Sequence, residues 1–370
     1  MRTQAQFRLL IVRLGAMGDI LHALPAVTAL RKAHPNWHIA WAIEPRWRPL
    51  LTADTEGESD QECEQGHPVV DKLHLIPAKA WGRQPLKRAT WDAIGALRRD
   101  LRAESYDAVL DLQGSIRSAV IARLTGCHRV IGDAAPWETP AKWFYTERVE
   151  TVGPHVIEHN VELADAVAGD VLEPVTPWLP TDDDAEDWCD ALPEIETARM
   201  TGRPVVLVHP GGGWGAKRWP PERYGAVVDD FAMRGALVLV NAGPGEEPLA
   251  GAVVSWGHGH GRVVNCSLEQ LIALTRHVSL VIGGDTGPVH LACALGKPVV
   301  GIYGPTDPKR NGPYGKRVRV LRNPESRRDH TRSEQPEAGL LTILPESVMD
   351  AAMDLMLEER RSPVVDGDYA

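Results

Sequence analysis

Short apolar runs alternate along this chain with longer stretches in which apolar residues recur at helical spacing. Eight of these runs have the length of buried parallel strands, four in each half of the chain. Each run leads into a turn or a helix candidate, and this order predicts two α/β domains with Rossmann-like parallel sheets. The strand candidates are residues 9–12, 39–43, 73–76, 108–112, 205–208, 236–241, 278–282 and 299–303.

A segment rich in proline and acidic residues separates the two series. Residues 173–184 read EPVTPWLPTDDD, a composition typical of an interdomain linker. We therefore expect an N-terminal domain over residues 1–175 and a C-terminal domain over residues 185–345. An acidic stretch at residues 54–67 is predicted to be an exposed insertion in the first domain.

The second domain contains a glycine-rich turn between two strand candidates. Residues 278–307 read VSLVIGGDTGPVHLACALGKPVVGIYGPTD, which predicts a strand, a turn, a short helix and a second strand. The N-terminus of that helix would offer free N–H groups and a positive dipole end to an anion, beside Asp285, Thr286 and Gly287. His290 lies one turn into the helix. A purely structural turn is the alternative.

A second glycine cluster follows the first strand candidate of this domain. The segment HPGGGWGAKRWP places Gly212 and Gly213 where backbone N–H groups can converge on a phosphate. Lys217 and Arg218 would neutralise negative charge there. The alternative is a flexible surface loop, which the two tryptophans of the segment disfavour.

A third cluster opens the first domain, where the first strand candidate runs into RLGAMGD. Its spacing is GxxGD and not GxGxxG, which disfavours a dinucleotide-binding dehydrogenase. Asp19 stands at the head of a helix candidate, above the carboxyl ends of parallel strands, where a side chain can meet a substrate. Helix capping is the alternative role for this carboxylate.

Together the three clusters resemble the bacterial lipopolysaccharide heptosyltransferases of glycosyltransferase family 9. The matching segments are RLGAMGDILHALPAVTALR, HPGGGWGAKRWPPERY and GGDTGPVHLACALGKPVVGIYGPTDP, and AMGDILHALPA and YDAVLDLQGSIRSA are most similar to the type I enzymes. The resemblance implies an α/β GT-B fold, in which two Rossmann-like domains face each other across a cleft. It also implies an inverting, metal-independent and cofactor-independent transfer of L-glycero-D-manno-heptose from ADP-heptose to a Kdo residue of Kdo-lipid A, in the lipopolysaccharide inner core.

The resemblance assigns roles to residues in both domains. Asp19 would be the catalytic base, and Lys217 would stabilise the departing diphosphate. Glu246 would hold the donor ribose, although Glu247 beside it leaves that assignment open by one residue. The other donor-binding candidates are Gly212, Gly213, Arg218, Asp285, Thr286, Gly287 and His290. The acceptor-binding candidates, in the N-terminal domain, are Arg13, Gly18, Arg83, Gln113 and Arg117. A final helix at residues 345–361 is expected to cross back onto the first domain.

Composition narrows the choice of partners and compartment. A net charge of −10 over 370 residues disfavours a nucleic-acid partner, whereas residues 79–88 form a local basic stretch suited to an anionic acceptor or, alternatively, to a solvated helix face. The sequence shows no run of about eighteen apolar residues and no signal peptide, which predicts a cytoplasmic protein that can be peripheral to the inner membrane face. Five cysteines without CxxC spacing predict neither a metal site nor a disulfide.

Three other functions stay open on the sequence. One is a family-9 transferase that uses a different ADP-sugar or acceptor, and another is a GT-B sugar-nucleotide epimerase. A third, from outside enzymology, is a nucleotide-binding regulatory protein with the same Rossmann halves. The regulatory protein would function without the Asp19 carboxylate, whereas a transferase would not.

Overall fold

A computed structural model of the chain describes residues 6–53, 68–329 and 333–361, apart from the side chains of residues 359–361. The chain divides into two compact units, Met1–Pro180 and Thr181–Ala370. The division falls inside the segment 173–184, which the sequence predicts as a linker. The predicted insertion at residues 54–67 lies outside the described residues.

The first unit is a parallel sheet covered by helices. Its strands are β1 (Arg8–Val12), β2 (His38–Ile43), β3 (Lys72–Leu75), β4 (Ala108–Asp111), β5 (Val130–Asp133) and β6 (Glu147–Val149). Its helices are α1 (Met17–Ala33), α2 (Ala78–Arg83), α3 (Arg88–Ala103), α4 (Ile116–Leu124) and α5 (Val156–Ala168), with 3-10 turns at Pro45–Leu50 and Thr139–Phe144. The strand order is β3-β2-β1-β4-β5-β6, so β1 and β4 flank the point at which the order reverses.

The second unit repeats this architecture. Its strands are β7 (Val205–His209), β8 (Leu237–Asn241), β9 (Arg262–Val264), β10 (Leu280–Gly284), β11 (Val299–Tyr303) and β12 (Val318–Arg322). Its helices are α6 (Asp183–Asp190), α7 (Pro193–Thr201), α8 (Pro221–Met233), α9 (Glu247–Trp256), α10 (Leu268–His277), α11 (Gly287–Ala294), α12 (Pro308–Asn311) and α13 (Pro345–Arg361), with 3-10 turns at Gly215–Lys217 and Leu340–Thr342. The order β12-β11-β10-β7-β8-β9 places the reversal between β7 and β10. The predicted pair of Rossmann-like sheets is confirmed.

Helices cover both faces of each sheet, which explains why the strands are continuous apolar runs. In the first unit, Leu9–Val12 is fully buried and α1 packs against α5. In the second unit, Trp219 and Phe231 share a hydrophobic cluster with the β7 residue Val206. These cores fix the carboxyl ends of the strands, from which the loops with candidate chemistry begin.

Strand β10 ends two residues later than the sequence predicts, so Gly283 and Gly284 belong to the strand and not to a turn. A Cβ atom on Gly283 would lie 2.9 Å from the Val289 side chain and 3.1 Å from the His209 Cβ. A Cβ atom on Gly284 would lie 3.2 Å from the Lys217 carbonyl oxygen. The two glycines therefore let α11 and the loop after β7 approach the sheet closely.

Helix α13 packs on the second unit, and its crossing onto the first domain stays a prediction. Its residues Val348, Ala352 and Leu355 are buried in the same cluster as Val227 and Phe231 of α8. The helix also contacts β11 and β12. Because the buried residues recur at spacings of three and four, they form one apolar face, and the second unit buries that face.

Candidate functional site

In the first unit, the loops after β1 and β4 lie side by side because the two strands are neighbours. Val12 pairs with Asp111 in the sheet, so both loops leave the same edge. The loops are also bonded to each other, since the Leu14 N–H donates to Gln113 Oε1 at 2.8 Å. This contact brings the acceptor candidate Gln113 to the loop that precedes α1.

Asp19 lies in the first turn of α1, which begins earlier than predicted, at Met17. Its Oδ2 accepts the Ala16 N–H at 3.0 Å, so the predicted alternative of helix capping is also met. Its Oδ1 lies 2.9 Å from the Arg13 guanidinium. Gly18, another acceptor candidate, directly precedes it in the same turn.

The two members of the Arg13–Asp19 ion pair differ in exposure. The Arg13 side chain is 8% exposed and also donates to the Leu112 carbonyl, whereas the Asp19 side chain is 48% exposed. Arg13 is therefore placed to orient the Asp19 carboxylate, and Asp19 is the member that a substrate can reach.

Asp111 is a site residue that the sequence analysis does not single out. This buried carboxylate ends β4 and accepts the N–H groups of Gln113 and Gly114 at 2.9 and 3.1 Å. It also accepts the hydroxyls of Ser118 and Tyr145 at 2.8 and 2.9 Å. Burial raises the pKa of Asp111 although these donors oppose the rise. The network fixes the loop that carries Gln113.

The acceptor candidates Arg83 and Arg117 are not bonded to this cluster. Both side chains are exposed, Arg83 at the end of α2 and Arg117 in the first turn of α4. Within the parts of the chain that the structure describes, neither forms a hydrogen bond or an ion pair with another residue. Bonds thus link the loop that carries Arg13, Gly18 and Asp19 to the loop that carries Gln113, whereas the roles of Arg83 and Arg117 stay predictions.

In the second unit, the candidate loops also share one edge. Gly283 of β10 pairs with His209 of β7, and Val208 of β7 pairs with Val240 of β8. The loops after β7, β8 and β10 therefore leave the sheet side by side. These loops, together with helix α11 that follows β10, carry all of the predicted donor-binding residues.

Lys217, Asp285 and His290 form a half-buried charged cluster at this edge. The Lys217 ammonium is ion-paired with Asp285 and lies 4.0 Å from the centre of the Trp214 ring. His290 Nε2 lies 3.5 Å from the second Asp285 oxygen. Burial alone would raise the pKa of Asp285, but the hydrogen bond from His290 and the charge of Lys217 hold it well below its usual range. Asp285 therefore remains an anion in this cluster.

Helix α11 begins directly beside the cluster. Thr286 is its N-cap residue and Gly287 its first residue. The Thr286 hydroxyl donates to the Gly284 carbonyl at 3.4 Å and does not cap the helix. The N–H groups of the first helical turn are thus left for an anion, as the sequence predicts for this turn.

Glu246 faces the glycine loop after β7, whereas Glu247 is exposed and begins α9. The Glu246 carboxylate accepts the Gly212 and Gly243 N–H groups, each at 3.3 Å. The Arg218 guanidinium donates to the Gly212 carbonyl at 3.1 Å. Glu246, Gly212 and Arg218 therefore form a second group beside the Lys217 cluster. Gly213 is exposed.

Two further buried residues of this edge are absent from the sequence-based candidates. Tyr303 ends β11, and burial together with the Asp285 carboxylate raises the pKa of its hydroxyl well above the usual value. His209 ends β7, and neither of its ring nitrogens has a hydrogen-bond partner among the described residues. Like Asp111, each is the last residue of an apolar strand, and a polar residue at that position is the signal that could have identified all three.

We expect His209 to make the fold sensitive to acid. Burial lowers the pKa of His209 to about 3, while a histidine in the unfolded chain titrates near pH 6.5. Below pH 6.5 the unfolded chain binds a proton that the folded chain does not, so stability is complete above that pH and falls as the pH drops. The loss attributable to His209 is about 2 to 3 kcal/mol between pH 6.5 and 4.5.

The measurement is urea unfolding at pH 7 and pH 4.5 for the parent chain, His209→Gln and, as a control, a variant of the exposed His128, His128→Gln. Glutamine is neutral in the folded and the unfolded chain and binds no proton in this pH range. His209→Gln should therefore lose less stability on acidification than the parent. An equal loss in His209→Gln and His128→Gln would show that His209 does not carry the effect.

The described residues contain no group of three or more His, Cys, Asp or Glu side chains placed to hold a metal ion. Nor do they include a helix with the length and apolar character that crossing a membrane requires.

Comparison with known proteins identifies relatives of this chain. Lipopolysaccharide heptosyltransferase 1 of Escherichia coli K12 is 28% identical over 330 residues, which cover 86% of this chain and 94% of the relative. The enzyme of the same name from Pseudomonas aeruginosa PAO1 is 26% identical over 317 residues, covering 84% of this chain and 82% of the relative.

Solved structures show the same fold. The E. coli heptosyltransferase WaaC, solved with ADP-2-deoxy-2-fluoro heptose, matches with a TM-score of 0.71 at 24% identity, covering 96% of this chain and 100% of that one. A family 9 glycosyltransferase from Veillonella parvula matches with a TM-score of 0.77 at 21% identity, covering 96% and 99%. These matches confirm the predicted GT-B class of fold.

A sequence profile of the family described as "Glycosyltransferase family 9 (heptosyltransferase)" matches residues 94–341, more than half of the chain. The matched part includes the glycine loop after β7, the Lys217 cluster and the start of α11. This chain therefore belongs to glycosyltransferase family 9, the heptosyltransferase family, and is a glycosyltransferase.

Proposed function

We propose that this glycosyltransferase moves L-glycero-D-manno-heptose from ADP-heptose to a Kdo residue of Kdo-lipid A, with inversion at the anomeric carbon and without a metal. Its relatives are named lipopolysaccharide heptosyltransferases, and one structural neighbour was solved with an ADP-heptose analogue. The observation that carries the proposal is the Arg13–Asp19 pair, because it presents an oriented, reachable carboxylate at the carboxyl edge of a Rossmann-like sheet.

The second unit supplies the groups that the donor diphosphate needs. Lys217 is paired with Asp285, and a diphosphate would compete with that carboxylate for the ammonium. The uncapped N-terminus of α11 adds N–H donors and a positive dipole end. Fixed positive groups of this kind stabilise the negative charge that develops on departing ADP, which is why we propose transfer without a metal.

Glu246 is the proposed ribose ligand. The Gly212 and Gly243 N–H groups hold its carboxylate in place, and each carboxylate oxygen has further acceptor capacity for a ribose hydroxyl. The exposed position of Glu247 supports Glu246 as the member of the pair that binds the nucleoside.

The proposed chemistry is a single displacement. Asp19 takes the proton of the acceptor hydroxyl as its oxygen bonds to the anomeric carbon of the heptose, while the bond from that carbon to the diphosphate oxygen breaks. The leaving group departs as ADP, and attack from the opposite face inverts the configuration. Gln113 and Arg117 are proposed as acceptor contacts, as are Gly18 and Arg83, whereas the buried Arg13 acts through Asp19.

Substitution of Gly211 tests the role of Glu246 without touching it. A Cβ atom on Gly211 would fall inside the contact distance of both Glu246 oxygens, whereas one on Gly251 in α9 meets nothing within 4 Å. Because a carboxylate is the free end of a flexible side chain, Gly211→Ala should displace it at little cost in stability. We expect ADP affinity to fall about ten-fold in Gly211→Ala, through loss of hydrogen bonds to a charged group, and to stay unchanged in Gly251→Ala.

Calorimetric titration with ADP, alongside urea unfolding, checks this expectation. Glu246→Gln should reproduce the loss and Glu247→Gln should not. If Gly211→Ala binds ADP as tightly as Gly251→Ala does, Glu246 is not the ribose ligand.

The reaction type is tested by the anomeric configuration of the product and by metal removal. Proton NMR of the product should show the configuration opposite to that of the donor, and turnover in excess EDTA should equal turnover without it. Retention of configuration would contradict the single displacement, and loss of turnover in EDTA that added Mg²⁺ restores would contradict the metal-independent mechanism.

A further inference from the structure

Four large apolar side chains are exposed together on the first unit. Trp137 and Trp143 are 75% and 71% exposed, and Ile116 and Val120 are 41% and 40% exposed. The 3-10 turn that holds Trp143 contacts α4, and the residue after Trp137 accepts the Ile116 N–H at 2.7 Å, so the four belong to neighbouring elements. We call these four residues the aromatic face.

The aromatic face is not needed to build the core. On α4, Ala119, Ile121 and Ala122 are buried in the hydrophobic cluster of the first unit, which turns Ile116 and Val120, one turn apart, outward. In the segment that packs on α4, Ala141 and Tyr145 are buried in the same cluster, whereas Trp137 and Trp143 are exposed. Single apolar residues on a surface are ordinary, but four on α4, on the 3-10 turn that contacts it and on the loop before that turn mark an interaction surface.

The charge around the aromatic face is mainly positive, with three cations against the Glu138 carboxylate, which accepts the Ile116 N–H. Arg117 and Arg123 project from α4, and Lys142 lies in the 3-10 turn beside Trp143. None of these three cations forms an ion pair with a carboxylate among the residues that the structure describes. Since the whole chain carries a net charge of −10, this local excess of positive charge is opposite in sign to the protein as a whole.

We propose that the aromatic face docks the first unit onto an anionic lipid membrane. Tryptophan combines an apolar ring with a polar N–H and is suited to the interface between headgroups and acyl chains, and lysine and arginine are attracted to anionic headgroups. The inference rests on the proposed function, in which the acceptor is anchored in a membrane. Helix α4 begins three residues after Gln113, so docking would hold the acceptor loop close to the lipid surface.

Flotation with lipid vesicles tests the apolar part of the face. The full chain is mixed with phosphatidylcholine vesicles that contain phosphatidylglycerol and no Kdo lipid. The double variant Val120→Gln/Trp143→Gln should bind about ten-fold more weakly than the parent chain, because it removes two groups that enter the interface. The matched control is Trp256→Gln, which replaces a tryptophan that is 59% exposed in the second unit and should bind like the parent.

The charged part is tested separately with Arg123→Gln and Lys142→Gln. Each should weaken binding to the anionic vesicles by about five-fold at low salt, and the parent should bind far less to pure phosphatidylcholine vesicles or at high salt. Thermal unfolding of every variant checks that the fold is retained.

Two results would overturn the docking proposal. One is a parent chain that does not float with anionic vesicles. The other is a Val120→Gln/Trp143→Gln variant that binds as tightly as the parent, or a Trp256→Gln control that loses as much binding as the double variant does. A soluble, delipidated Kdo acceptor separates docking from the transferase proposal. The double variant should transfer heptose to this acceptor at the parent rate. If neither the parent chain nor the double variant transfers heptose to it, while the parent chain still binds vesicles, the acceptor assignment is wrong and the docking proposal is unaffected.

Discussion

Asp19→Asn is expected to lower the rate of heptosyl transfer by about 10³-fold, the typical contribution of a positioned general base, while ADP-heptose binding stays close to that of the parent chain. Asparagine has the same shape as aspartate and can still accept the Ala16 N–H, so α1 should keep its first turn. It cannot take the proton of an acceptor hydroxyl at neutral pH. Turnover is followed as acceptor-dependent ADP release, and donor affinity by calorimetry.

A matched carboxylate on the same unit controls for charge. Asp92 lies exposed on α3 and pairs only loosely with Arg88, at 3.8 Å, so Asp92→Asn should transfer heptose at the parent rate. Asp19→Asn with most of its activity intact would remove Asp19 from the chemistry. Loss of donor binding in step with turnover would indicate a structural role for the residue.

Lys217→Gln is expected to lower kcat/KM for ADP-heptose by about 10²- to 10³-fold, because it removes the charge proposed to stabilise departing ADP. ADP affinity should fall as well, since the diphosphate loses a cation in the ground state. The substitution also removes the ion-pair partner of Asp285, so His290 is the other member of the cluster that still contacts this carboxylate. The measurements are single-turnover kinetics, ADP titration and thermal unfolding.

Two further variants separate the catalytic loss from instability. Lys217→Gln/Asp285→Asn removes both charges of the pair and should recover thermal stability without recovering turnover. Arg234→Gln removes a cation of the second unit that pairs with Asp230 on an exposed helix face, and should leave all three measurements unchanged. Parent-like turnover in Lys217→Gln would show that departing ADP is stabilised by other groups.

The fold was largely predictable from the sequence, because parallel strands buried on both faces are continuous apolar runs. Predicted strand ends agree with the structure within two residues, and Val299–Tyr303 agrees at both ends. The placement of Asp19, Lys217 and Asp285 in the segments that follow the carboxyl ends of strands is also predicted by this pattern, since those ends lie at one edge of a parallel sheet.

What the sequence could not supply depends on contacts between distant segments. Three features can be predicted only if one knows which loops meet: the ion pair of Arg13 with Asp19, the hydrogen-bond network of Asp111 and the burial of His209. The glycines after residue 282 were also ambiguous in the sequence, because glycine is typical of turns. Gly283 is instead a strand residue, and its lack of a side chain allows close packing. The sequence of α13 predicts an amphipathic helix, but it does not predict which surface buries the apolar face.

The proposed transfer of heptose from ADP-heptose to Kdo can be measured directly. The full chain is incubated with ADP-heptose and a delipidated Kdo acceptor, and both ADP release and the mass of the acceptor are followed. We expect ADP release that requires the acceptor, with a gain of one heptosyl unit for each ADP formed. ADP release without acceptor, or bound donor with no change in acceptor mass, would contradict the proposed transfer.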